Sequence, residues 1–168
     1  MEPGQGFGTG GHASTVLALE QIEAELTDHA PPASMLDVGT GSGILAIAAG
    51  LLGVPRLWGL EIDPRALPEV RRNFRLNGLT PPPHLVRGKP DCLRGRFPLV
   101  AANLTAPILH QFVEELARLT APGGRLVLSG MLASEGPGVA AAFGEVGFTA
   151  IQIAQREGWY ACRLLRGA

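Results

Sequence analysis

The run Asp37-Val38-Gly39-Thr40-Gly41-Ser42-Gly43 lies between an apolar stretch, Met35-Leu36-Asp37-Val38, and a helical pattern over 43–52. Glycines at such a junction permit a tight turn, and they let backbone amides and the start of the helix come close to a ligand. Glu61 closes the next apolar run, Leu57-Trp58-Gly59-Leu60-Glu61. A carboxylate at that place can accept both hydroxyls of a ribose. A dinucleotide-binding turn would read G-x-G-x-x-G, with its third glycine allowing the helix to pack closely while amides hold a pyrophosphate. Here the glycines stand at 39, 41 and 43, and the position three after Gly41 is Ile44. The dinucleotide pattern therefore fails.

Other residues add polar chemistry near the same expected edge. Asn103 follows the apolar run over 98–102, at the carboxyl end of a strand, where open α/β sheets bind ligands. Its side-chain carbonyl can accept from an amine and its amide can donate; the structural alternative is a cap of the helix predicted over 107–119. Asp37 can brace the glycine turn or meet a ligand through water. The opening segment Gly6-Phe7-Gly8-Thr9-Gly10-Gly11-His12-Ala13-Ser14-Thr15 sets an aromatic ring, hydroxyls and an imidazole together. His12 can serve chemistry there or cap the first helix. Trp159 can line a site or cover an edge of the core.

Positioning these groups takes an alternation of elements. Leu17, Ile22 and Leu26 give a helix over 12–26 an apolar stripe, and further helices are predicted over 43–52, 64–77, 107–119 and 134–146. The Asp63-Pro64 pair is a helix start, since Asp caps free amides and Pro at the first position loses no needed donor. Strands are predicted over 35–38, 57–61, 84–86, 98–102, 125–128, 148–154 and 159–165. Short apolar strands separated by helices form a mostly parallel sheet covered on both faces. Only Gln155-Arg156-Glu157-Gly158 separates the last two strands, too little for a crossover helix, so they pair as an antiparallel hairpin at the sheet edge. The Pro/Gly clusters at 31–32, 81–83 and 121–124 are loop punctuation.

The chain has 168 residues, 46% of them hydrophobic, which suits one domain over 1–168. Its 14 basic and 15 acidic side chains give a net charge of -1, so bulk electrostatics indicate no nucleic-acid partner. Cys92 and Cys162 are 70 positions apart, with no histidine at ligand spacing. This predicts neither a metal site nor a disulfide and fits a cytoplasmic setting. No apolar run reaches the length of a membrane span, and the first residues lack the pattern of a signal peptide.

The turn D-x-G-x-G-x-G resembles the adenosylmethionine-binding motif. With Glu2-Pro3-Gly4-Gln5-Gly6-Phe7-Gly8-Thr9-Gly10-Gly11-His12, Gly59-Leu60-Glu61-Ile62-Asp63-Pro64, Val100-Ala101-Ala102-Asn103-Leu104, Leu128-Ser129-Gly130-Met131-Leu132 and Glu157-Gly158-Trp159, the chain is similar to the bacterial methyltransferases of large-subunit ribosomal protein L-eleven. The resemblance covers essentially its whole length. It implies a Rossmann-like class I methyltransferase fold, α/β, with a mostly parallel seven-stranded sheet ending in an antiparallel hairpin. It also implies the methyl donor S-adenosyl-L-methionine, the product S-adenosyl-L-homocysteine, and amino groups of a ribosomal protein as acceptor.

Carried over position by position, the resemblance assigns Phe7, Gly8, Thr15, Asp37, Gly39, Gly41, Gly43, Glu61 and Asn103 to the cofactor, and Asn103, His12 and Thr9 to catalysis. Relatives usually carry Thr or a similar residue at 11, Pro or Glu at 13 and Thr at 14, where this chain has Gly11, Ala13 and Ser14; Glu61 replaces a more usual Asp. Leu104 and Thr105 depart from the N-P-P-[YF] motif of methyltransferases acting on amides or adenine bases. Family members also carry an N-terminal substrate-recognition domain, and this chain starts at the catalytic motif. Two other readings stay open: methylation of another protein or a small molecule, and a cofactor-binding module without turnover.

Overall fold

The computed structural model describes residues 11–168. Seven strands form one sheet: Met35–Val38 (β1), Leu57–Glu61 (β2), His84–Arg87 (β3), Phe97–Asn103 (β4), Thr120–Leu132 (β5), Phe148–Arg156 (β6) and Trp159–Arg166 (β7). Their order is β3-β2-β1-β4-β5-β7-β6. The first five strands are mutually parallel, while β7 runs antiparallel to both β5 and β6. The expected hairpin therefore sits at the sheet edge, with β6 outermost. Its turn is tighter than predicted: only Glu157 and Gly158 separate the strands, with φ of 51° and 79°. Two successive residues at positive φ match the right-handed twist of the paired strands.

Six helices cover the sheet: Ala13–Asp28 (α1), Ile44–Leu51 (α2), Ala66–Leu76 (α3), Ala106–Gln111 (α4), Val113–Leu119 (α5) and Gly136–Glu145 (α6). Alternation along the strands decides which helix packs where. In β4, Leu99 and Ala101 join Ile22, Leu26, Leu45 and Phe74 of α1, α2 and α3. Val100 and Ala102, one residue out of phase, join Leu109, Leu116 and Phe143 of α4, α5 and α6. Both faces are thus buried along the central strands β1 and β4, as their unbroken apolar runs require, while the edge strands β3 and β6 stay largely exposed.

Three boundaries differ from the sequence reading. The helix predicted over 107–119 breaks at Phe112, whose φ and ψ of -113° and 21° end α4 and begin α5; each half buries a leucine, Leu109 and Leu116. The Ala121–Gly124 cluster lies inside β5. Phe97 pairs with Thr120 and Leu99 with Arg125, so the Pro/Gly residues bulge out of one continuous strand. Helix α3 begins at Ala66 because Asp63 first closes a turn of its own, accepting from the Arg65 amide at 2.9 Å.

Candidate active site

The chain order reverses between β1 and β4, and the carboxyl ends of these strands and of β2 and β5 form a crevice, the place where such sheets bind ligands. Phe7, Gly8 and Thr9 lie outside the described residues; the other predicted residues gather at this edge.

The glycine turn leaves β1 with Gly39, Gly41 and Gly43 all left-handed, at φ of 71°, 53° and 84°. At Gly39 the requirement is doubled, since a Cβ there would lie 2.6 Å from Leu104 Cδ2. The Gly39 and Thr40 amides both donate to the Leu60 carbonyl, at 2.8 and 3.1 Å, tying the turn to β2. Asn73 Nδ2 donates to the Ser42 carbonyl from α3 at 2.8 Å. Gly43 is the N-cap of α2.

Asp37, 1% exposed, braces this turn. Its Oδ2 accepts from Thr40 Oγ1 at 2.7 Å, and its carboxyl also accepts from the Ala46 amide in the first turn of α2. Burial pushes the Asp37 carboxyl up to about 6; the two hydrogen bonds favour the charged form, and the neighbouring Glu61 carboxylate disfavours it. Among the described residues no cation pairs with it.

Glu61 closes the other side of the turn. Its Oε2 accepts from the Gly41 amide at 2.9 Å, and its Oε1 from the Ile62 and Asp63 amides at 2.8 and 3.0 Å. A carboxylate offers about four lone-pair sites, so one site on Oε2 is left to accept from a ligand. Ile62 follows directly and is 61% exposed, an apolar surface beside that acceptor which the sequence reading left without a role. Arg65 holds the Asp63 carboxyl down at about 2.

At the end of β4, Asn103 Nδ2 donates to Thr15 Oγ1 of α1 at 3.3 Å. The capping alternative is not realised, since Thr105 is the N-cap of α4. His12 is the N-cap of α1: its Nδ1 accepts from the Ser14 amide and lies 2.8 Å from Ser14 Oγ. Its ring meets Trp159 edge-on at 4.5 Å, which brings Trp159 to the rim of the crevice. Ser129 of β5, buried and absent from the predicted set, donates from Oγ to the Ser14 carbonyl at 2.8 Å. Among the described residues no cluster of His, Cys, Asp or Glu can hold a metal ion, and no helix is long and apolar enough to cross a membrane.

The chain that builds this crevice is similar to known proteins over nearly its whole length. The family model of ribosomal protein L11 methyltransferase (PrmA) matches residues 1–166. A ribosomal protein L11 methyltransferase from Azotobacter vinelandii is 43% identical over 95% of this chain and 53% of its own length. The chain spans about half the length of the curated relatives it matches. The crystal structure of a ribosomal protein L11 methylase from Lactobacillus delbrueckii subsp. bulgaricus superposes with a TM-score of 0.86 at 29% identity, over 95% of this chain and 81% of that one. An RNA methyltransferase from Salinibacter ruber, solved with S-adenosyl-L-homocysteine, shares the fold alone: TM-score 0.70 at 19% identity, over 90% and 91%. The sheet is that of the class I methyltransferases. Because the match covers the glycine turn, the acidic end of β2 and Asn103, the chain belongs to the ribosomal protein L11 methyltransferase family.

Proposed function

We propose that this chain is the catalytic domain, over 1–168, of a cytoplasmic S-adenosylmethionine-dependent methyltransferase acting on amino groups of ribosomal protein L11. The observation that carries the reading is the crevice itself, where the Asp37–Glu61 turn and the Thr15–Asn103 pair share one sheet edge. The residues fit this cofactor. Glu61 Oε2 has an acceptor site for a ribose hydroxyl, and exposed Ile62 offers a face to a purine. Two carboxylates, Asp37 without a paired cation among the described residues, suit a ligand carrying positive charge. The left-handed turn supports close approach without the third glycine that a pyrophosphate-binding turn uses.

When bound, adenosylmethionine supplies a methyl group on a sulfonium, and displacement at that carbon needs neither metal nor covalent enzyme intermediate. What remains for the protein is to place the nucleophile, and such positioning supplies a large part of the rate. A lysine amine has a pKa near about 10.4 in water and must shed a proton before it attacks. Asn103 Oδ1 accepts one N–H of the neutral amine and so turns its lone pair toward the methyl group. Its Nδ2, donating to Thr15, fixes which end of the amide faces the amine. The proton leaves to solvent or by way of the His12 ring. Phe7, Gly8 and Thr9 complete the methyl-transfer site in this reading.

Calorimetric titration with adenosylmethionine, adenosylhomocysteine and NAD tests the donor site. Both sulfur compounds are expected to bind, NAD to stay inert, and Glu61→Ala to abolish binding. Transfer of a labelled methyl group to saturating ribosomal protein L11 tests the acceptor, with Asn103→Ala expected to lose it. Absence of binding in the unaltered chain would overturn the donor reading; transfer unimpaired in Asn103→Ala would overturn the role of Asn103.

A further inference from the structure

Strand β5 does not run straight past the crevice. Leu128 pairs with Cys162 and Met131 with Tyr160, so Ser129 and Gly130 together stand opposite Ala161. Gly130 has φ of 88°, the left-handed glycine of a β-bulge, a device that re-aims neighbouring groups. On its other side β5 sets Ser129 in register with Asn103. The bulge therefore lies directly beside the residue assigned to the acceptor.

It holds that residue in two ways. Ser129 grips the surrounding backbone: its carbonyl accepts from the Leu104 amide at 3.0 Å, and its hydroxyl donates to the Ser14 carbonyl at 2.8 Å. Ser14 precedes Thr15, whose hydroxyl accepts from Asn103. Gly130 acts by having no side chain. A Cβ there would fall 2.7 Å from the Leu104 carbonyl oxygen, 2.8 Å from the Leu104 nitrogen and 2.8 Å from Asn103 Oδ1. Two of these atoms belong to the Leu104 backbone just past β4, whose amide is tied to the Ser129 carbonyl, so the atom freest to move is the side-chain Oδ1.

We propose that the Ser129–Gly130 bulge is the positioning element for the methyl acceptor, setting the direction in which Asn103 Oδ1 points. The inference rests on the reading above that Oδ1 receives the amine. Among the described residues the side chain's one hydrogen bond, from Nδ2 to Thr15, is long at 3.3 Å, beyond the usual range for N–H···O. The absence of a Cβ at Gly130 therefore leaves Oδ1 its direction, which that long bond alone does not fix. In-line attack is sensitive to such direction, since a misplacement of about 1 Å can lower a rate about a hundredfold.

Sinefungin, an adenosylhomocysteine analogue bearing a primary amine where the transferred methyl group would be, reads the carbonyl without any acceptor protein. Its affinity relative to adenosylhomocysteine is measured by calorimetry on the full chain and on Asn103→Ala, Gly130→Ala, Ser129→Ala and Gly78→Ala. Gly78 is also left-handed, at φ of 68°, but a Cβ there meets nothing within 4 Å, so its variant reports the cost of backbone strain alone. Asn103→Ala and Gly130→Ala are expected to lower the preference for sinefungin about tenfold, the scale of one hydrogen bond to a charged group. Ser129→Ala should lower it less and Gly78→Ala not at all; because the preference is a ratio taken on each variant, any weakening of adenosylhomocysteine itself by Asn103→Ala divides out. A preference kept in Gly130→Ala but lost in Asn103→Ala would overturn the role of the bulge. A preference kept in Asn103→Ala would overturn the Asn103 reading beneath it. Should Gly130→Ala fail to fold, Ser129→Ala decides: an unaltered preference there refutes the proposal.

Discussion

Asp37 lends itself to a quantitative test because its cost to the fold depends on pH. Its carboxyl moves from 3.8 to about 6 on folding, roughly two units at about 1.4 kcal/mol each, or about 3 kcal/mol in all. A folded pKa raised above the unfolded one means that the native state favours the neutral carboxyl. The associated stability is fully present below pH 3.8 and is lost as pH rises through 6. Above pH 6 the charged carboxylate sits in the core at that cost. Asp37→Asn cannot ionise. Its amide either donates to the Thr40 hydroxyl, which can accept, or sets a donor against the Ala46 amide, and neither arrangement varies with pH. Urea unfolding of both proteins from pH 4 to pH 8 should therefore show the variant gaining on the unaltered chain by about 2 kcal/mol up to pH 6, then levelling off about one pH unit higher. Saturating adenosylmethionine, placing positive charge near the turn, should flatten that gain. A difference that stays constant across the range, or that runs the other way, would refute the account of Asp37 as a buried, unpaired carboxyl.

Two further outcomes follow from the core. Arg163, 6% exposed, lies 3.3 Å from Glu25 and donates to Gln152 at 2.7 Å; Arg163→Ala leaves Glu25 with less compensation and should cost about 3 kcal/mol by urea unfolding, whereas a loss within the scatter of surface substitutions would show the cluster to be idle. Burial pushes the Cys162 thiol up to about 12, while Cys92 is exposed; a maleimide reagent at neutral pH should modify one cysteine in the native chain and the second only on unfolding, and native labelling of Cys162 would contradict the sheet packing described.

What could be read from the sequence was local. The glycine turn and Glu61 carry their meaning in spacing along the chain, because the geometry they serve is a single β-turn-α unit and the end of the next strand. The four-residue gap at 155–158 forced a hairpin on reach alone. The failures share a different cause. Apolar spacing over 107–119 records which side chains face the core, and a backbone that turns at Phe112 while still burying Leu109 and Leu116 leaves that record unchanged. The Pro/Gly content of 121–124 read as a loop because nothing local says that Arg125 resumes pairing with β4 where Thr120 left off. Ser129 and Gly130 acquire a role only through Ser14 and Asn103, the first of them 115 positions distant. Asp37 was ambiguous for a related reason: bracing and ligand contact ask for the same residue, and only the Thr40 and Ala46 bonds show bracing to be present.

The two ends of α1 show why the crevice depends on parts of the molecule far from it. Thr15 meets Asn103 at the first turn, and Glu25 meets Arg125 and Arg163 ten residues later, about 15 Å along the helix axis. The bond at the crevice is too long to fix the helix by itself. The ion pairs at the other end are not hydrogen-bond aligned, since Glu25 Oε2 and Arg163 Nη1 are buried without such a partner among the described residues, and by charge alone such pairs contribute little net stability. What they do supply is discrimination. Sliding α1 along the sheet would strand Glu25 among Leu26, Val127 and the other apolar side chains of that face, and an uncompensated buried charge is strongly disfavoured. One position of the helix satisfies that requirement, and in it the Ser14 carbonyl reaches Ser129 and the Thr15 hydroxyl reaches Asn103. The polar core at the amino edge of the sheet thus selects the geometry used at the carboxyl edge.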